Sequence, residues 1–261
     1  MSEFIFNKAF RRELQKSPHH YGEVVFLESV LRPGMAVIEG GANRGVTAVA
    51  IAKAVGRKGH VYAFEPVPEY FEALQANIAL NKMANISAGN FAISDRTGPL
   101  TIYKHGEGSG VAPVQDAEII SVEGVTIPEF LSAHHIPKVD FVNLDCEGSE
   151  LLIFRNAAAW LKHEAPPIFC EVHRQYMETL GHSVDDAVNL LSELGYEVSP
   201  IQVDDLSAPS DFKRCSHIYA THPRQSGKTH RAGLGDASVQ FSCYIMRCLP
   251  SKRKRHGNTK P

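Results

Sequence analysis

The sequence contains no apolar run of 18 residues, so it offers no segment able to cross a membrane as a helix. It also has little net charge. Its 27 basic and 29 acidic side chains leave a formal −2, so no global field draws it toward nucleic acid or an anionic membrane. Cysteine is sparse and irregularly spaced. Cys146, Cys170, Cys215, Cys243 and Cys248 are odd in number and include no C-x-x-C pair, which fits neither a disulfide framework nor a zinc site and suits reduced thiols. The first residues, Met1 to Lys8, lack the basic-then-apolar layout of a secretory signal, and a cytoplasmic location is expected. No internal repeat is visible. What remains is ordinary for a globular chain: 261 residues, 43% apolar and 21% charged, enough to bury one α/β core with additions.

Against that background one stretch stands out, Val37-Ile38-Glu39-Gly40-Gly41-Ala42-Asn43-Arg44-Gly45, followed by Tyr62-Ala63-Phe64-Glu65-Pro66. It reads as a buried strand, a glycine-bearing turn and a helix beginning at Val46, then a second strand that ends in a carboxylate. In an open α/β sheet this layout forms a nucleotide-type cofactor site. Glu65 is placed to accept hydrogen bonds from two neighbouring ribose hydroxyls. The spacing Glu39-x-Gly41-x-Asn43-x-Gly45 departs from the G-x-G-x-x-G that a pyrophosphate requires. A leading carboxylate would repel a phosphate and attract an ammonium group. S-adenosylmethionine (SAM) carries an ammonium and a sulfonium and no phosphate, so it is the cofactor this turn suits.

Apolar strands alternate with helical stretches from residue 35 onward, the βαβ signal. Strands are expected near 36–39, 60–64, 86–91, 140–144 and 167–172, and helices near 44–55, 68–81, 126–133, 149–161 and 183–194. Residues 1–34 read as an N-terminal helical segment broken at 17–22, 35–250 as the main domain, and 251–261 as a basic, disordered tail. The stretch 98–125 reads as a hairpin or irregular excursion, with Gly106, Gly108 and Gly110 making a mobile loop. Short β-rich segments at 196–203, 216–221 and 239–248 suggest an antiparallel hairpin at the sheet edge.

Two more strands end in chemistry. Asp140-Phe141-Val142-Asn143-Leu144 runs into Asp145, Glu147 and Glu150, and Ile168-Phe169-Cys170 runs into Glu171 and His173. Asp145, Glu147, Glu171 and His173 are therefore the candidate catalytic residues. They suit deprotonation of a hydroxyl, or the binding of a divalent cation that lowers its pKa. Glu150 is better placed to stabilise a helix N-terminus.

Taken in order, Ile38 to Gly45, Val61 to Pro68 with Leu74, Asn77 and Asn81, Phe91 to Gly98, and Asp140 to Glu150 resemble the FkbM-type family of SAM-dependent methyltransferases across roughly residues 35–200. The resemblance implies an α/β, class I methyltransferase (Rossmann-like) fold. Its sheet would be mostly parallel and seven-stranded, with helices on both faces and an antiparallel C-terminal strand. It also implies that Glu39, Gly41, Asn43, Gly45, Glu65, Pro66, Asn90, Ala92 and Asp145 hold the cofactor, and that Asp145 and Glu147 face the transferred methyl. Two positions depart from the family pattern: Glu39 stands where Asp is usual, and Asn143 where Lys is usual. The resulting expectation is O-methylation of a hydroxyl on a sugar or secondary metabolite. The rival readings are a catalytically silent SAM-binding module, a nicotinamide-dependent oxidoreductase and, without any basic patch to support it, a nucleic-acid methyltransferase.

Overall fold

The computed structural model describes residues 3–106, 108–209 and 211–224. Two helices, α1 (Lys8–Leu14) and α2 (Pro18–Val30), lead into β1 (Ala36–Gly40), α3 (Val46–Val55), β2 (His60–Phe64), α4 (Pro68–Leu80) and β3 (Ile86–Gly89). A β-rich insertion follows, comprising β4 (Ala92–Ile93), β5 (Gly98–His105), β6 (Gly108–Gly110) and β7 (Glu118–Val125). Alternation resumes with α5 (Ile127–Ala133), β8 (Phe141–Leu144), α6 (Glu150–Asn156), α7 (Ala158–Glu164), β9 (Ile168–Glu171), α8 (Arg174–Thr179) and α9 (Val184–Glu193). The hairpin β10 (Glu197–Ile201) and β11 (His217–Thr221) completes the described chain.

The main sheet has seven strands in the order β10-β11-β9-β8-β1-β2-β3. Strands β9, β8, β1, β2 and β3 run parallel, whereas β11 is antiparallel to both β9 and β10. Central strands carry apolar side chains on both faces, as a covered parallel sheet requires. Ile38, Val142, Leu144 and Ile168 point into a core shared with Phe130, Leu151, Leu161 and Leu191 of the helices on one side. Val37, Val61, Phe141 and Phe169 meet Phe26, Ile51 and Leu74 on the other. Strand order reverses between β1 and β8, and a doubly wound sheet opens its ligand crevice at the carboxyl ends beside such a switch point.

Several expectations need correction. Of the two readings of residues 98–125 it is the hairpin that holds, since β5 and β7 pair antiparallel and build most of a second sheet, ordered β4-β7-β5-β6. Gly108 and Gly110 lie in a strand paired with β5 rather than in a mobile loop, and their missing Cβ atoms leave room for Glu147. The break lies at 15–17 rather than 17–22, since α1 ends at Leu14 and Pro18 occupies the first turn of α2, where its missing N–H is harmless. Gly22 is helical because α2 presses onto the chain there: a Cβ would lie 2.0 Å from the Val203 carbonyl oxygen. The helix expected at 149–161 is two, divided at Ala157. Strand 239–248, Cys243, Cys248 and the tail at 251–261 lie outside the described residues. No helix among the described residues is long and apolar enough to cross a membrane.

Asn77 and Asn81 turn out to be structural staples. Asn77 accepts from the Phe4 amide at 3.0 Å and donates to the Arg44 carbonyl at 2.9 Å, while Asn81 donates to the Phe4 carbonyl at 2.8 Å and accepts from the Phe6 amide. Asn77 lies on α4 and Asn81 caps its C-terminus, and together they dock the N-terminal segment against the helix.

Candidate active site

A cleft of about 590 Å³ opens at the carboxyl ends of β1, β2 and β8. Gly41 and Asn43 after β1, Glu65 and Pro66 after β2, Ala92 on β4, and Asp145 and Glu147 after β8 all line it. Much of the remaining wall comes from the second sheet, through Ile93, Leu100, Ile102 and Ser109, with Val111 just beyond β6. These residues were not among the candidates. Their one legible signal is the alternation Leu100-x-Ile102, whose inward partners are pinned only by distant pairing with β7. Three carboxylates, Glu65, Asp145 and Glu147, face the cleft, and the described lining contains no basic side chain.

The turn after β1 is held by backbone chemistry. Gly41 has φ +80, and a Cβ there would lie 1.8 Å from the Asp145 carbonyl oxygen, so only glycine lets the β1 and β8 loops close on each other. The Gly41 and Ala42 amides both donate to the Phe64 carbonyl, at 3.0 and 2.9 Å. Asn43 adopts left-handed backbone at φ 46, and its amide donates to Glu65 Oε2 at 2.7 Å. The Val67 amide donates to Glu65 Oε1 at 2.9 Å. Glu65 is thus clamped through both oxygens, each with a lone pair left for another donor. Burial still pushes its carboxyl up to about 7, against the pull of those two amides. Gly45 does not line the cleft; it is the left-handed N-cap residue of α3. Asn90 does not line it either, because its side-chain amide braces the Glu65 and Pro66 carbonyls at 2.9 and 3.0 Å.

Glu39 sits behind the turn rather than on the cleft wall. It is 1% exposed, and burial pushes its carboxyl up to about 8, with Thr47 and Asn143 partly offsetting this through hydrogen bonds. Asn143, its register partner on β8, approaches Glu39 Oε1 at 3.5 Å, while Oε2 has no partner. The neutral amide at 143 therefore leaves the acid uncompensated in charge, where a lysine would have ion-paired with it.

The four catalytic candidates converge, though not on one wall. His173 Nε2 lies 3.7 Å from Asp145, 3.4 Å from Glu147 and 3.6 Å from Glu171, and its Nδ1 is 3.7 Å from Glu150. Burial alone would lower the His173 pKa, but Glu150, Asp145, Glu171 and Glu147 hold it raised to about 10. Four carboxylates thus surround one half-buried imidazole. It and Glu171 stand behind the cleft, with Asp145 and Glu147 in front. Asp145 is pushed well up, first by burial and then by Glu171, and its Oδ1 is shielded without a hydrogen-bond partner although the side chain is 38% accessible. Glu147 is raised by burial. Glu150 accepts from the Cys146 and Gly148 amides at 3.0 and 3.3 Å, so it shapes the loop that presents Asp145 and Glu147.

Comparison with known proteins agrees with this architecture. The sequence matches the model of the Methyltransferase FkbM domain over residues 39–198. A solved FkbM methyltransferase from Methylobacillus flagellatus KT shares the fold with a TM-score of 0.51 at 16% identity, covering 74% of this chain and 45% of that one. A curated protein-L-isoaspartate O-methyltransferase from Methanothrix thermoacetophila is 40% identical over 57 residues, 22% of this chain and 27% of its own length. The chain thus spans about a quarter of that relative and under half of the solved chain. With a class I methyltransferase fold and a family match covering most of its length, the chain belongs to the FkbM methyltransferase domain family.

Proposed function

We propose that the protein transfers a methyl group from SAM to a hydroxyl oxygen of a sugar or secondary metabolite. The observation that carries this reading is the charge of the cleft: three carboxylates and, in its described lining, no basic group. Such a wall rejects the phosphates of a nicotinamide dinucleotide and attracts a ligand that is itself cationic. SAM fits that demand. Glu65 offers two free lone pairs at the end of β2 for ribose hydroxyls, and Glu39, buried behind the turn, adds when ionised to the negative field that an ammonium group meets. When bound, SAM supplies a methyl group activated on positive sulfur. The chain contributes orientation, exclusion of water and a proton acceptor.

Asp145 is the acceptor of choice. It lines the cleft, and its raised pKa favours keeping the proton it takes from a hydroxyl. Glu147 beside it bears on the acceptor pocket, and Glu171 and His173 position the pair from behind. No step here requires a metal. The test is formation of S-adenosylhomocysteine by the purified protein with a panel of hydroxylated sugars and natural-product alcohols. Acceptor-dependent product with a methyl ether formed supports the proposal. Cofactor binding without transfer to any hydroxyl favours a silent binding module, and transfer to nitrogen or carbon acceptors alone contradicts the oxygen assignment.

A further inference from the structure

Beside the cleft, His19, Glu23, Glu171 and His217 bring together two imidazole nitrogens and two carboxylate oxygens, all within 4.8 Å of one another. We propose that these four side chains bind one divalent first-row transition metal, for which Zn²⁺ is the reference ion.

Two independent pieces of the fold make the set. His19 and Glu23 are four residues apart on α2 and so share one face of that helix. Glu171 and His217 are direct register partners across β9 and β11. Because β11 runs antiparallel, its first residue meets the carboxyl end of β9, and the close seat of Gly22 on Val203 lowers α2 onto that pair. The separations suit ligands around a common centre. His19 Nε2 is 3.1 Å from Glu171 Oε1, and His217 Nε2 is 3.5 Å from Glu23 Oε1 and 4.0 Å from Glu171 Oε2. Ligands about 2.1 Å from a tetrahedral or octahedral ion stand about 3.0–4.2 Å apart.

The outer contacts fix which nitrogens face inward. His19 Nδ1 is 3.0 Å from the Asp204 carboxylate, the carboxylate–histidine arrangement that orients metal ligands. His217 Nδ1 is 3.0 Å from Ser216 Oγ. That hydroxyl donates to the Ile201 carbonyl and accepts from the Val203 amide, so in this bond it also accepts, and the His217 proton lies on Nδ1. His217 Nε2 then faces two carboxylates, Glu23 Oε1 at 3.5 Å and Glu171 Oε2 at 4.0 Å. A cation resolves that confrontation. Two carboxylates neutralise a divalent ion, and the mixed nitrogen and oxygen donors suit zinc or its neighbours better than magnesium or calcium.

Metal binding by these four side chains shares Glu171 with the neighbouring site but does not depend on methyl transfer. The test is equilibrium dialysis of tag-free, chelator-stripped protein against Zn²⁺ with elemental analysis, repeated with Co²⁺ to read ligand geometry from its visible absorption. Wild type should retain one equivalent per chain, and Zn²⁺ should raise its Tm. His19→Ala, at a half-buried position, should weaken binding at least tenfold, and Asp204→Asn should weaken it about tenfold by loosening His19. His173→Ala should retain the metal, because His173 belongs to the alternative grouping with Asp145 and Glu171. Folded wild type that retains no metal, binding unaffected by His19→Ala, or binding abolished by His173→Ala would each overturn the assignment.

Discussion

Asp145→Asn should lower turnover about 100- to 10,000-fold, the range expected when a general base is removed, while S-adenosylhomocysteine binds within about threefold of wild type. Asparagine keeps the volume and the loop, whose shape depends on the Gly41 contact with the Asp145 backbone and on the Glu150 hydrogen bonds to Cys146 and Gly148. What it loses is the ability to take a proton. Single-turnover kinetics with a hydroxyl acceptor separate the chemical step from binding. Turnover equal to wild type would transfer the role of base to Glu147, the other acid of that loop facing the cleft.

Glu39→Gln should make the fold more stable and the cofactor site worse. In the folded chain burial holds the Glu39 carboxyl up to about 8, whereas the unfolded chain titrates it near its ordinary 4.5. The folded state therefore binds the proton more tightly, and stability is lost as pH rises from the unfolded toward the folded pKa. At pH 7 that loss amounts to about 3 kcal/mol, and at pH 5 to under about 1 kcal/mol. A neutral glutamine removes it. The variant should melt at least about 5 °C higher at pH 7, with the advantage shrinking at pH 5. Affinity moves the other way. Wild type should bind S-adenosylhomocysteine more tightly as pH rises from 6 to 8 and Glu39 ionises, and the variant should lose about tenfold in affinity at pH 8. Equal melting temperatures across that range would show that Glu39 carries no buried charge in the absence of ligand.

Local pattern alone makes the cofactor strands legible in the sequence. Val37-Ile38 before a glycine turn, Val61 to Phe64 before Glu65, and Phe141 to Leu144 before Asp145 announce buried strands that end in acids, and all three lie where the pattern puts them. The misreadings share one physical origin, contact between segments far apart in the chain. Ser17-Pro18-His19-His20-Tyr21-Gly22 has turn composition, yet it is mostly helix, because Pro18 is harmless in a first turn and Gly22 is needed against Val203. Reading that segment as a break hid the spacing of His19 and Glu23. His217 was hidden more deeply, since its pairing with Glu171 depends on an antiparallel register that no local pattern encodes. The same holds for the cleft wall on β5, which exists only because β7 pairs with it. Asn90 follows β3 at the expected place, and its side-chain amide donates to the Glu65 and Pro66 carbonyls.

Cofactor identity is read directly by calorimetric titration of the purified protein with S-adenosylhomocysteine, with NADH as a control and Glu65→Ala alongside. Micromolar binding of the homocysteine compound is expected, with none of NADH and loss of binding in Glu65→Ala, which lacks the clamped carboxylate at the end of β2. A folded protein that ignores S-adenosylhomocysteine, or binds NADH in its place, would contradict that expectation.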